Sequence, residues 1–193
     1  VCGELPTDQL IRLPGGEHYK DNVIKELKRK RLIRTYYKNG LRGYRLTVSA
    51  KRFLLADVPC RFSFALSGSC ETNHIKSELT KRLRLHRMAE ITVSMQNAVV
   101  NIYRDEKTAV FSPEWNGDLP SVPAFYNSRE VKELGTPFVK ITGARSVGVL
   151  LTEDNAFVTY NLGNRLMKWE YKSEMRTKVL MQTVLCRERL PNF

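Results

Sequence analysis

Along the first sixty residues the apolar positions change period three times. In "DQLIRL", Leu10, Ile11 and Leu13 gather on one side of a short helix that Thr7 is placed to cap and Pro14-Gly15-Gly16 to end. "EHYKDNVIKELKRKRLI" then sets Tyr19, Val23, Ile24 and Leu27 at helical spacing, leaving Lys20, Asn22, Lys25, Lys28 and Arg29 on the other side. From Leu32 the period shortens to that of a strand. "LIRTYY" and "YRLTV" flank "KNGLRG", whose Asn39-Gly40 pair suits the positive φ of a tight hairpin. Ser49 is placed to cap a further helix, "AKRFLLADV", with Phe53, Leu54 and Leu55 closing a small core before Pro59.

The pattern then loosens. "FSFALSGSCETN" is rich in Ser and Gly, and the expected organisation is a first domain over 1–58, a linker over 59–73 and a second domain over 74–193. In the second domain Ile75, Leu79, Leu83, Met88, Ile91, Met95, Ala98 and Ile102 fall at three- and four-residue steps without Pro or Gly, which predicts one long helix. Residues 104–123 carry Asp, Asn, Gly and three prolines and read as loop. Three strands are expected in "PAFYNSREV", "ARSVGVLLT" and "AFVTYNL", and a closing helix from 163 to 186 with Leu166, Trp169, Arg176, Leu180 and Val184 on one side. The fold class is α+β: helix, turn, helix and hairpin, followed by an α-β-β-β-α domain.

Composition changes this picture chiefly through charge. The chain has 193 residues, 42% hydrophobic and 27% charged, and no apolar run approaches the roughly 20 residues that span a bilayer, so no membrane partner is expected. The start "VCGELPTDQL" has neither an initiator Met nor a signal pattern, which suggests a piece of a longer, cytoplasmic protein. Cysteines at 2, 60, 70 and 186 form no Cys-x-x-Cys pair. They fit reduced thiols, and Cys60, Cys70, His74 and His86 match no common zinc spacing.

The net charge is +12. Residues 17–52 hold 12 Lys/Arg against 3 Asp/Glu, so +9 of local charge surrounds the second helix and the hairpin. Helix-turn-helix followed by a β-hairpin is the order of a winged helix, in which the second helix enters a major groove and the hairpin meets the neighbouring backbone. On that reading Lys20, Asn22, Lys25, Lys28 and Arg29 face the groove of double-stranded DNA, and Lys38, Arg42 and Arg45 its phosphates. The bland alternative is that Lys28 to Arg31 only solvate a helix end, where cations suit the macrodipole. The same module could instead bind a protein partner, and a homodimer is left open.

No phosphate loop, nucleophile elbow or His-Glu-x-x-His is present. An α-β-β-β-α core is the scaffold of restriction-endonuclease-like nucleases, in which carboxylates and a Glu-x-Lys pair converge on Mg²⁺. Two such triplets occur, Glu130-Val131-Lys132 and Glu170-Tyr171-Lys172, with Asp118 before the first and Asp154 before the second. They give Glu130, Lys132, Asp154, Glu170 and Lys172 as candidate catalytic residues and Mg²⁺ as the cofactor that reading requires. Glu-x-Lys is common by chance, and Glu170 also fits helix-surface ion pairs, so the expectation is a nuclease-like domain without activity and no cofactor. Tyr126, Arg129, Arg145, Trp169 and Tyr171 offer a base-stacking set, although aromatic residues on strands more often fill cores.

Taken together, "YRLTVSAKRFLL", "KRLRLHRMAE", "AFYNSREVK", "SVGVLLTEDNAFVTYN" and "MKWEYKSEMR" resemble the replication-relaxation family of plasmids and conjugative elements in Gram-positive bacteria. The resemblance spans most of the chain. It implies a DNA-binding winged helix joined to a nuclease-like domain, with a role in plasmid replication or DNA relaxation, and a first helix of the winged fold lying upstream of residue 1.

Overall fold

The computed structural model describes residues 2–68, 78–112, 114–115, 118–134, 146–160 and 175. Two compact units divide the chain, residues 1–99 with 103–105, and residues 100–102 with 106–193.

The first unit begins with a two-residue strand, β1 (Leu5–Pro6), and a 3-10 turn over Thr7–Arg12, where a short helix capped by Thr7 was expected. Thr7 caps nothing, because Pro6 holds the preceding position and the hydroxyl reaches Arg42 O at 3.5 Å instead. Helix α1 (Glu17–Arg29) follows, with Glu17 in its first turn and Lys28 and Arg29 in its last, as the macrodipole favours. It ends in a Schellman arrangement: Arg31 N donates to Lys28 O, Leu32 N to Leu27 O, and Arg31 takes φ 54°. Strands β2 (Ile33–Lys38) and β3 (Leu41–Leu46) form the expected hairpin, closed by Asn39 and Gly40 at φ 51° and 74°. Positive φ at both central residues matches the right-handed twist of the strands, and Asn-Gly adopts it at the least steric cost. Strand order is β1-β3-β2, all antiparallel, with Leu5 opposite Tyr44 and Tyr37 opposite Arg42.

Helices α2 (Val48–Asp57) and α3 (Pro59–Leu66) come next. The cap of α2 is Thr47, whose Oγ1 accepts from Ala50 N at 3.2 Å, rather than Ser49. Pro59 opens α3, where a missing N–H is harmless, so residues 59–66 are helix and not linker. Helix α4 (Leu79–Asn97) belongs to this unit too. A boundary near residue 60 would assign it to the second. Its inward side is Arg82, Leu85, Ala89, Thr92 and Val93, while Leu79 and Leu83 are exposed. Arg12 ties its C-terminal half to the 3-10 turn, donating to Ser94 Oγ at 2.8 Å, and Asn97 Nδ2 donates back to Arg12 O at 2.8 Å.

The second unit is built on an antiparallel meander of β4 (Ala124–Asn127), β5 (Ser146–Leu151) and β6 (Ala156–Tyr160), in the expected strand positions and in the order β4-β5-β6. Its core gathers Val110, Phe111, Ala124, Tyr126, Val131, Val149 and Leu151, with Phe111 and Tyr126 edge to face at 5.2 Å. The leading helix of the expected α-β-β-β-α order is the α4 of the first unit, and the closing helix lies outside the described residues. Among the described residues no helix is long and apolar enough to cross a membrane.

Candidate nucleic-acid interface

Of the eight residues that the sequence assigns to DNA contact, six stand on the surface: Asn22, Lys25, Lys28, Arg29, Lys38 and Arg42. The helical period brings Asn22, Lys25 and Arg29 to the side of α1 opposite Ile24 and Leu27, which are partly buried. Neither Lys25, Lys38 nor Arg42 has a carboxylate partner among the described residues. Arg29 is held by Glu26, with Nε to Oε2 and Nη2 to Oε1 both at 2.7 Å, and Lys30 approaches Glu26 at 3.4 Å. Hydrogen bonding from Arg29 lowers the Glu26 carboxyl to about 2. One carboxylate thus orders two cations without cancelling the local excess.

Lys28 links the helix to the sheet, its Nζ lying 5.1 Å from the centre of the Tyr44 ring. Tyr44 shares a sheet face with Thr35, Tyr37 and Arg42, so the surface of α1 continues along one side of the hairpin to its tip. Three exposed residues at the two ends of α1 extend this surface and are missing from the sequence assignment: His18, Lys30 and Arg31. His18 Nε2 lies 3.1 Å from Asn22 Nδ2. Arg31 occupies the left-handed position that ends α1, where glycine is the unstrained choice.

The other two predicted contacts are corrected. Lys20 is buried and donates to Ile11 O at 2.9 Å and Leu13 O at 3.2 Å, satisfying carbonyls at the end of the 3-10 turn. Arg45 is 4% exposed and bound to Glu4, with Nε and Nη2 each 2.7 Å from Oε2. Strand alternation put Arg45 on the opposite sheet face from Arg42, and that face is covered.

What covers it is a buried polar cluster. Glu4, 1% exposed, receives Arg45, Arg82 and His86, whose Nε2 is 2.7 Å from Oε1. Arg82 projects from α4 and also donates to Lys38 O at 2.6 Å and Leu41 O at 3.1 Å, gripping both strands of the hairpin near its turn. The Tyr36 ring meets the guanidinium of Arg45 at 4.0 Å and that of Arg82 at 4.7 Å. Gly43 makes the approach feasible, because a Cβ there would lie 2.5 Å from Glu4 Oε1. A glycine inside a strand is the sequence signal for such a close approach.

Burial by itself would raise the pKa of Glu4, yet donation from His86, Arg82 and Arg45 outweighs it and brings the group from 4.5 down to about 2. The folded value lies below the unfolded one, so this stabilisation is complete above about pH 4.5 and is lost as pH falls towards 2. A chemical-denaturation series across that window is expected to show roughly 3 kcal/mol of acid-dependent stability that Glu4→Gln removes.

Among the described residues the candidate nuclease residues do not assemble. Glu130 is buried, and both its oxygens are taken: Lys107 Nζ is 2.8 Å from Oε1, while Asn127 N and Nδ2 donate to Oε2 at 2.8 and 2.7 Å. It caps the turn after β4 and does not fit a metal ligand. Lys132 is exposed on a 3-10 turn, and Asp154 is exposed in the β5–β6 turn. Glu170 and Lys172 lie outside the described residues, as do Cys70, His74, Arg145, Trp169 and Tyr171. Among the described residues no group of three His, Cys, Asp or Glu side chains could hold a metal ion. Tyr126 is core, its hydroxyl donating to Thr108 O at 2.7 Å, and burial beside Glu130 raises its pKa. His86 is spent on Glu4, which also removes it from any zinc set. Comparison with protein-family models, with curated proteins and with solved structures finds no match to this chain.

Proposed function

We propose that the first unit is a winged-helix head that binds double-stranded DNA, α1 lying in the major groove and the β2–β3 hairpin beside the adjoining backbone. The observation that carries this is the single exposed surface formed by α1 and one face of the hairpin, joined through Lys28 and Tyr44. The strand order β1-β3-β2, with α1 immediately before the hairpin, supports the same reading. Asn22 and His18 suit base edges, while Lys25, Lys28, Arg29, Lys30, Arg31, Lys38 and Arg42 suit phosphates. Following the family resemblance, the biological role is replication, relaxation or its control on a plasmid or other mobile element, without catalysis by this chain.

Titrating a labelled duplex at increasing salt tests the binding. Neutralising about six phosphates gives a slope of log K against log salt near −5, or roughly a thousandfold loss between 50 and 200 mM. An affinity that stays flat over that range would remove the reading.

A further inference from the structure

The two faces of the hairpin are used differently. One carries Tyr36 and Arg45 and is held by Arg82 and Glu4. On the other, next to the tip, Tyr37 is 70% exposed and sits directly opposite Arg42. Leaving a large ring in water forgoes burial that a core position would supply, and a polar residue would serve a solvated tip as well.

The surroundings of Tyr37 indicate what would cover it. Residues 33–46 include four cations and no carboxylate, and Arg42 stands directly across from the ring on the same sheet face. A peptide partner of ordinary composition gains little from such a surface, whereas a nucleic-acid strand offers both phosphates and flat bases. The brace from α4 adds a mechanical argument. Arg82, 1% exposed, donates to carbonyls of residues 38 and 41 on either side of the turn. A lysine reaching for a phosphate works on a flexible loop, but a ring that stacks must keep its plane.

Building on the duplex interface assigned to α1, we propose that Tyr37 stacks on an unpaired base, so that the preferred ligand is a duplex with a single-stranded end or junction. Arg42, on the same face, holds a phosphate of the unpaired strand.

Fluorescence anisotropy with a blunt duplex and with the same duplex bearing a single-stranded tail tests this. The tail is expected to tighten binding by about five- to a hundredfold, the range of one base stacked on one aromatic ring. Tyr37→Ala removes that gain and Tyr37→Trp retains it, each gain taken as the ratio of tailed to blunt affinity for the same protein. If the unsubstituted protein binds both probes equally, or Tyr37→Ala keeps the gain, the stacking role is overturned while the duplex reading stands. Failure to bind either probe overturns both.

Discussion

Glu4→Ala is expected to destabilise the first unit by about 3–5 kcal/mol, because it strips the counter-charge from two guanidinium groups that remain buried. Arg45 is 4% and Arg82 1% exposed, so neither can recover its loss in water without moving β3 or α4. Domain stabilities run to about 5–15 kcal/mol in total, so a large part of the folding free energy is at stake. The urea midpoint should fall sharply at pH 7 with little change in slope. Glu26→Ala is the matched control, removing a carboxylate that also holds arginine but at the surface, and it should leave the midpoint essentially unchanged. Equal midpoints for the two variants would show that Glu4 does not organise the unit.

The second large effect is on binding. Lys25→Glu combined with Lys28→Glu turns two attractive contacts into two repulsive ones on the central part of the α1 surface. Affinity for duplex DNA should drop by about a hundredfold at moderate salt, and the salt slope should flatten by about two. Arg84→Glu on the solvent side of α4 combined with Lys132→Glu, also exposed and away from α1 and the hairpin in sequence and element, changes the net charge by the same four units and should leave affinity within about twofold. If both changes weaken binding alike, attraction is a property of the net charge of +12 and not of a built surface.

Charge counting picked out the surface proposed to bind DNA, but two of the residues it assigned there, Lys20 and Arg45, are buried. Arg42 and Arg45 look equivalent in the sequence. Three positions apart on a strand, they point to opposite faces, and only the presence of Glu4 and α4 on one side decides which arginine is free. Lys20 presents the same difficulty on a helix, since its Nζ finds two carbonyls of a 3-10 turn that the sequence suggested as an α-helix. The long helix was legible as a helix but not in its inward side. Arg82 and Thr92 occupy buried positions there, and a search for apolar spacing passes over them. The Glu130-Val131-Lys132 triplet resembles a catalytic pattern in one dimension. In the fold its carboxylate is consumed by Lys107, twenty-three residues earlier in the chain.

Local chemistry alone determined the hairpin with its Asn-Gly turn, the helix before it, the three strands of the second unit and the concentration of positive charge over residues 17–52. Each depends on residues within a few positions of one another, where period, turn conformation and capping act. Tertiary structure decided which cations face solvent, to which unit α4 belongs and which side of the hairpin is sealed. Those outcomes turn on a buried carboxylate at residue 4 meeting arginines at 45 and 82, and a buried charge takes whatever partner the fold brings within reach, however distant in the chain.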